Sequence, residues 1–528
     1  MAREIFIYDT TLRDGTQGEA VTLSAEDKVR IARKLDDFGI HYIEGGWPGS
    51  NPKDERFFEM AKRIDFKNAC LTAFSSTRHP RKSPEEDHNI HALLKTETDT
   101  VTIFGKAWAL HATRILGVSL DENLFMIEDT VAYLKKQDRQ VVFDAEHFFD
   151  GYKNNPEYAL KAIGAAEAGG ADFIVLCDTN GGSMPDEVGA IMKQVRSRHQ
   201  TKLGIHTHND CGLALANSLV AVQGGASMVQ GTINGYGERC GNVDLISVVG
   251  NLHFKLGTRC ISEKSVGQLT ELSRFVSEVA NVPPLNQRPF VGKSAFAHKG
   301  GVHVSAILKL PEAYEHMLPE QVGNRRRVLV SDLSGRSNID FKSGEMGIKL
   351  GGNGYDSEKI VREIKRLEDE GYQFDAAEGS LELLIKKVTG QFEEPFFLES
   401  LRVTTEKNRD RSGSTQATIK IAVGDEYEIT AAEGEGPVNA LDNALRKALT
   451  KFFPQISEMA LVDFKVRVID GGDATAAKVR VQIESRDARE IWSTIGVSEN
   501  IIEASWQALV DSVQYKLLKE SDQSNKGK

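Results

Sequence analysis

Leu203-Gly204-Ile205-His206-Thr207-His208-Asn209-Asp210 reads as a short apolar strand that ends in two histidines. Side chains two residues apart on a strand point to one side, so His206 and His208 present two imidazoles to the same point, where they can share one divalent cation. The same pattern, an apolar run closing on polar residues, recurs through the first half of the chain. Candidate strands are Glu4–Asp9, His41–Glu44, Ala69–Phe74, Thr100–Phe104, Gln140–Glu146, Asp172–Asp178, Leu203–His208 and Met228–Ile233. Helical windows follow each in turn, at Ala25–Phe38, Asp54–Arg63, Glu85–Leu94, Glu122–Lys136, Pro156–Ala168, Pro185–Arg198, Leu213–Gln223 and Val243–Phe254. This repeated strand–helix pairing matches an α/β fold of the closed (β/α)8 TIM barrel type. A doubly wound open sheet is the alternative, but it needs no eighth repeat. No Gly-x-Gly-x-x-Gly opens any of the helices, which argues against a dinucleotide cradle.

In such a barrel the chemistry sits at the C-terminal ends of the strands. Asp9, Arg13 and Asp14 follow strand one; Glu44 ends strand two and Glu146 strand five; Asp178 and Thr179 close strand six; Glu238, Arg239 and Asn242 follow strand eight. Solvated surface residues have no reason to collect at those places. Two imidazoles with carboxylate and amide oxygens make a mixed ligand set suited to Mn2+, Mg2+, Co2+ or Zn2+ with open positions. Such a cation polarises a keto carbon, an arginine beside it stabilises an enolate oxygen, and a histidine with a carboxylate moves the proton. Taken singly, Asp14 reads first as an Asx turn or helix cap, Asn242 as a helix N-cap and His303 as a loop histidine, and Arg13 reads also as a surface ion pair.

The 528 residues call for two or three domains. A net charge of −11 argues against nucleic acid or an anionic membrane as partner. No apolar stretch approaches the ~20 residues that span a bilayer, and the first residues enter a strand at once, so a cytoplasmic location is expected. Cys70, Cys177, Cys211, Cys240 and Cys260 are scattered and form no CxxC pair, the usage of a reducing compartment with free thiols.

Beyond about residue 275 the pattern changes. Ala297-His-Lys-Gly-Gly-Val-His303 is glycine-rich, Arg325-Arg326-Arg327 is basic, and Ser357–Asp369 and Asp375–Lys387 read as helices. Strands with period-two alternation follow at Leu398–Thr405, Gln416–Val423 and Tyr427–Ala432, then a helix Pro437–Phe453. Ala460–Asp470, Ala476–Ser485, Arg489–Gly496 and a helix Asn500–Leu518 repeat that order, giving a duplicated β-β-β-α unit. The expected organisation is a catalytic barrel over residues 1–275, helical intermediate subdomains over 276–396 that carry His303, a C-terminal α+β regulatory domain over 397–520, and a disordered polar tail over 521–528.

Leu12-Arg13-Asp14-Gly15-Thr-Gln17, His206-x-His208-Asn209-Asp210-x-Gly212-x-Ala214-x-x-Asn217 and Gly235-x-Gly237-Glu238-Arg239-x-Gly241-Asn242 together resemble the signatures of the DRE-TIM metallolyases. More narrowly, nearly the whole chain resembles the isopropylmalate/homocitrate/citramalate synthase family. Glu44-Gly-Gly-Trp-Pro-Gly-Ser-Asn-Pro-Lys-Asp54 looks like its citramalate-forming branch. The resemblance implies metal ligands Asp14, His206, His208 and Asn242. It implies Arg13, Glu146 and His303 as catalytic residues, with His303 entering from the neighbouring subunit of a homodimer. It places Thr179 on the carboxylate of the 2-oxo acid. The implied reaction is a Claisen-type condensation of acetyl-CoA with pyruvate, followed by thioester hydrolysis; the isopropylmalate- and homocitrate-forming members are the alternatives. Phe104, ending strand four, narrows a pocket for a methyl group or is a barrel-core aromatic, and Asp144, two residues before Glu146, faces the same side, although a charge is odd there. Gly434-Glu-Gly436-Pro437-Val-Asn-Ala440 resembles the glycine-rich turn of the family's allosteric domain, and Ile495-Gly496-Val-Ser-Glu-Asn-Ile501 takes the related place in the second repeat. Feedback by isoleucine is the expectation there; a dimerisation module with no ligand is the plainer one. The Arg325–Arg327 run either meets CoA phosphates or lies on a solvated face. A lyase running the reverse cleavage lacks the long C-terminal region, and a non-catalytic amino-acid sensor has no need of the full ligand set.

Overall fold

The computed structural model describes residues 4–351, 354–407, 409, 413–469 and 477–526. Eight parallel strands close into a barrel in sequence order: β1 (Phe6–Asp9), β2 (Tyr42–Gly46), β3 (Cys70–Ser76), β4 (Thr100–Lys106), β5 (Gln140–Glu146), β6 (Phe173–Asp178), β7 (Lys202–Thr207) and β8 (Met228–Gly231). The open-sheet alternative is thereby excluded. Both faces of these strands are covered, so they read as apolar runs without alternation. Helices such as Ala25–Phe38 pack outside, begun by a capping box between Ser24 and Asp27 and stopped by Gly39 at φ 94°. Tyr8, Tyr42, Val142, Phe173, Val175 and Met228 fill the barrel interior, which leaves the C-terminal ends of the strands as the place for a cavity.

Two strand ends differ from expectation in ways that bear on the site. Strand β4 continues to Lys106, and β8 stops at Gly231, where Ile233–Gly235 turns through Asn234 at φ 66°. A short helix, Phe148–Asn154, follows β5 where none was expected.

The chain divides into two compact units: Met1–Phe296 with Met317–Arg325, and Ala297–His316 with Arg326–Lys528. The intermediate region is thus shared between both. In the second unit β9 (Ala297–His298) pairs with β10 (Arg327–Val328). Two antiparallel three-stranded sheets follow: β11 (Phe397–Lys407), β12 (Gly413–Val423) and β13 (Glu426–Gly434), then β14 (Ala460–Val468), β15 (Val479–Arg486) and β16 (Ile491–Ser498). Helices Pro437–Leu449 and Ile501–Lys526 cover them over a core that includes Ile419, Leu441, Leu445, Ile483, Trp492 and Leu509. The expected strand ends Asp470 and Ala476 lie outside the described residues. The last helix runs past Leu518 into the stretch read as a tail, because Lys516 pairs with Glu520 one turn on and Asp522 meets Lys386. No two cysteines are bonded, and no helix among the described residues is long and apolar enough to cross a membrane.

Candidate metal centre and active site

Asp14, His206 and His208 meet at the C-terminal mouth of the barrel. Asp14 Oδ2 lies 3.5 Å from His206 Nε2 and 3.9 Å from His208 Nε2, and the two imidazole Nε2 atoms face each other 3.3 Å apart. All three are buried, and among the described residues they form the one group of three such side chains close enough to hold an ion. Strand β7 aims both histidines to one side, as the i, i+2 spacing requires. Asn242 reaches the same place because its backbone bridges that of His208.

The plainer readings of these residues fail on geometry. Asp14 precedes the turn Gly15–Gln17 but makes no side-chain cap bond, and the helix Leu245–Phe254 is capped by Asp244, not Asn242. Asp14 Oδ1, Asn242 Oδ1 and His208 Nδ1 are buried without a protein partner. Such atoms are costly to leave unmade, and the oxygens suit a divalent cation. The set of two imidazoles, one carboxylate and one amide oxygen therefore fits the ion expected from the sequence.

Charge at the site is arranged to keep ligands in their binding forms. Burial alone would raise Asp14, but Arg13 and the two imidazoles hold it below the usual carboxylate range. Burial lowers His206, and burial with the neighbouring His206 pushes His208 down to about 4; neutral imidazoles are the ones that bind metals. The His206 Nδ1–H donates to Gln230 Oε1 at 3.0 Å, while Gln230 Nε2 donates to Asp144 Oδ1 at 2.9 Å. That chain selects the tautomer whose Nε2 is free for a ligand. Asp144, fully buried beside Glu44, is pushed well above its ordinary value.

Arg13 lies in the site and not on the surface. Its Nε donates to Glu44 Oε1 at 2.6 Å, and its guanidinium covers the Phe74 ring at 3.8 Å. Glu44 is itself fixed by Thr10 Oγ1 at 2.6 Å and by Tyr8. Beside these groups is a cavity of about 230 Å3 lined by Arg13, Asp14, Trp47, Phe74, Phe104, Asp144, Glu146, Thr179, His206 and His208, among others. Phe104 stacks on Phe74 at 5.4 Å. Glu146 is paired with Lys106 across the strand register. Thr179 Oγ1 accepts the His147 N–H at 2.9 Å, and its carbonyl accepts from Arg239, which grips Asp210 with two nitrogens.

His303 is not among the side chains the barrel gathers. It belongs to the second unit, on the helix Gly301–Ile307, where its ring stacks on Tyr314 at 4.4 Å. Gly434 and Gly436 do precede the helix Pro437–Leu449, but Ile495 and Gly496 lie inside β16 and not in a turn. Ile495 is buried and Gly496 is pressed against the Ala504 carbonyl. The positional equivalent of Gly434–Pro437 is Ser498–Ile501, because β16 runs two residues further than its alternation suggested.

Sequence reading alone missed four groups: Glu44 as the anchor of Arg13, Lys106, Gln230, and Trp47 as a pocket wall. Lys106 stands opposite Glu146 and Gln230 opposite His206, pairings that strand register sets and the chain alone does not show. A glutamine inside a fully buried strand does invite the question of a partner.

Comparison with known proteins agrees with this fold. A family model described as HMGL-like matches residues 4–276, one described as Homocitrate synthase post-HMGL domain-like matches 290–372, and one described as LeuA allosteric (dimerisation) domain matches 375–517. An (R)-citramalate synthase of Aquifex aeolicus is 55% identical over 99% of both chains, and one of Geobacter sulfurreducens is 54% identical over 98% of both. A 2-isopropylmalate synthase of Methanocaldococcus jannaschii is 31% identical over 98% of this chain and 95% of its own. The chain belongs to the (R)-citramalate synthase family, acyl-transferring enzymes on an HMGL-like barrel.

Proposed function

We propose that this protein condenses the acetyl group of acetyl-CoA with pyruvate and hydrolyses the resulting thioester, releasing (R)-citramalate and CoA. The observation that carries the reading is the buried Asp14–His206–His208 group with its unpartnered ligand atoms, set beside Arg13 and a small aromatic-walled cavity. The full-length likeness to (R)-citramalate synthases supports the choice of substrates.

Asp14, His206, His208 and Asn242 would hold a divalent cation, which would supply Lewis acidity toward a keto oxygen. Arg13 holds a fixed positive charge at the mouth, kept in place by Glu44 and Phe74, and meets the oxygen on which an enolate charge develops. Thr179 binds the substrate carboxylate, and Phe104 with its aromatic neighbours takes the methyl group. His303, assisted by Glu146, removes the proton from the acetyl methyl. It enters from a neighbouring subunit, which makes the working form a homodimer; the LeuA-type dimerisation region supports that assembly. The enolate carbon bonds to the keto carbon of pyruvate, whose oxygen takes up a proton; water then cleaves the thioester, and the CoA thiol leaves with a proton.

Isoleucine, the end product of a route through citramalate, is the proposed effector at the Gly434–Pro437 turn, whose helix N-terminus suits a carboxylate.

Thiol release on mixing the full-length protein with acetyl-CoA, a divalent metal and pyruvate tests the reading, with 2-oxoisovalerate and 2-oxoglutarate as competitors. Pyruvate is expected to give the highest kcat/KM, and citramalate the only product on chiral chromatography. A preference for either larger acid would assign the chain to another branch. Isoleucine added to the same assay is expected to lower the rate.

A further inference from the structure

We infer that Trp47 sets the size of 2-oxo acid this site admits, and that the segment from Glu44 to Asp54 holds its indole against the pocket. The inference rests on the reading of the cavity as the 2-oxo acid site.

Trp47 lines the cavity at its aromatic wall. Its ring meets Phe74 edge-on at 5.8 Å and Phe104 edge-on at 5.6 Å, across the stacked pair those two form. Phe74 also carries the Arg13 guanidinium on its face, so the wall is tied to the group beside the metal ligands. An aromatic cluster locked edge-to-face yields little to an extra methyl.

The backbone around Trp47 is over-determined. A Cβ on Gly45 would overlap the ring of Phe57, and one on Gly46, at φ 151°, would overlap the Asp54 carboxylate. Only glycines let this strand end lie so close to the helix Pro52–Ala61. That helix starts at Asn51, whose side chain accepts the Lys53 N–H at 3.0 Å, with Pro52 in its first turn. Asp54 Oδ2 then accepts the Trp47 N–H at 2.9 Å. Its other oxygen binds the ammonium of Lys28, which donates also to the Gly45 carbonyl at 3.1 Å. Lys28 is 2% exposed. Burying an ion pair is expensive and adds little stability by itself; here it fixes the direction in which one indole leaves the strand. Asp54 and Lys28 are positioning residues and Trp47 the determinant of specificity.

The test compares kcat/KM for pyruvate, 2-oxobutanoate and 2-oxoisovalerate in wild type, Trp47→Ala, Trp47→Phe and Asp54→Asn. A pocket contact with one methylene decides about 10- to 200-fold in such ratios. Trp47→Ala is expected to raise the 2-oxobutanoate-to-pyruvate ratio by about 10-fold or more, and the 2-oxoisovalerate ratio further. Trp47→Phe, which keeps a ring, shifts it in the same direction by less, and decides the matter should the alanine variant not fold. Asp54→Asn shifts it by a small factor while metal affinity, read by calorimetry, stays unchanged. Wild-type preference for pyruvate with unaltered ratios in the folded Trp47 variants overturns this inference alone. Wild-type preference for 2-oxoisovalerate overturns it together with the functional reading.

Discussion

Both units bury charged side chains, and they treat them differently. In the second unit Lys516 is 2% exposed and is met by Asp487 and Glu520 at 2.7 Å each and by Glu458 at 3.4 Å. Burial alone would lower Lys516, but those carboxylates hold it above its usual value. At the barrel mouth Asp14, His206 and His208 are as deeply buried, yet Asp14 Oδ1, His208 Nδ1 and the neighbouring Asn242 Oδ1 have no protein partner. The first cluster is closed and serves architecture. The second gathers its open valences beside two imidazoles that face one carboxylate, which is how a ligand site differs from a structural ion pair.

Four substitutions separate the open cluster from the closed one. Asp14→Asn removes the anionic ligand, and thiol release is expected to fall by about 1,000-fold or more while thermal unfolding shows a folded protein; several kcal/mol of charge stabilisation is at stake. Lys516→Met leaves Asp487 without its cation and is expected to destabilise the second unit by about 3–5 kcal/mol in urea titration, with kcat of the folded protein unchanged. A lost kcat there would mean the two clusters are not separate in function. Glu44→Gln loosens Arg13, for which stopped assays are expected to show kcat lower by about 100-fold, the cost of a small misplacement. Gln230→Ala frees the His206 ring, and competition with a metal-sensitive dye is expected to read about 10- to 100-fold weaker metal binding; unchanged affinity would show that packing alone orients that imidazole.

The smallest effect concerns a closed pair on the outside of the barrel. Burial would raise Glu167, but hydrogen bonds from His199, Thr201 and Gln200 bring it down from 4.5 to about 2. The folded carboxylate stays ionised where the unfolded one takes up a proton. Its contribution is therefore full above about pH 4.5 and drains away as the pH falls toward 2. Glu167→Gln is expected to flatten the pH dependence of the urea midpoint across that window and to lower the midpoint near neutrality, where the contribution it removes is full.

Short-range periodicity was legible along the chain. Apolar runs and helical windows located the eight barrel strands, and i, i+2 spacing put His206 and His208 on one side of β7. The motifs around Arg13–Asp14 and Asn242 marked the remaining expected ligands. Strand register and close approach came with folding. It set Lys106 opposite Glu146 and Gln230 opposite His206, and it closed Glu44 on Arg13. It turned Trp47 onto Phe74 and Phe104, and it buried Ile495 within a strand. Spacing along a strand fixes which side a residue faces, whereas its partner across the barrel is set by the register of strands far apart in the chain.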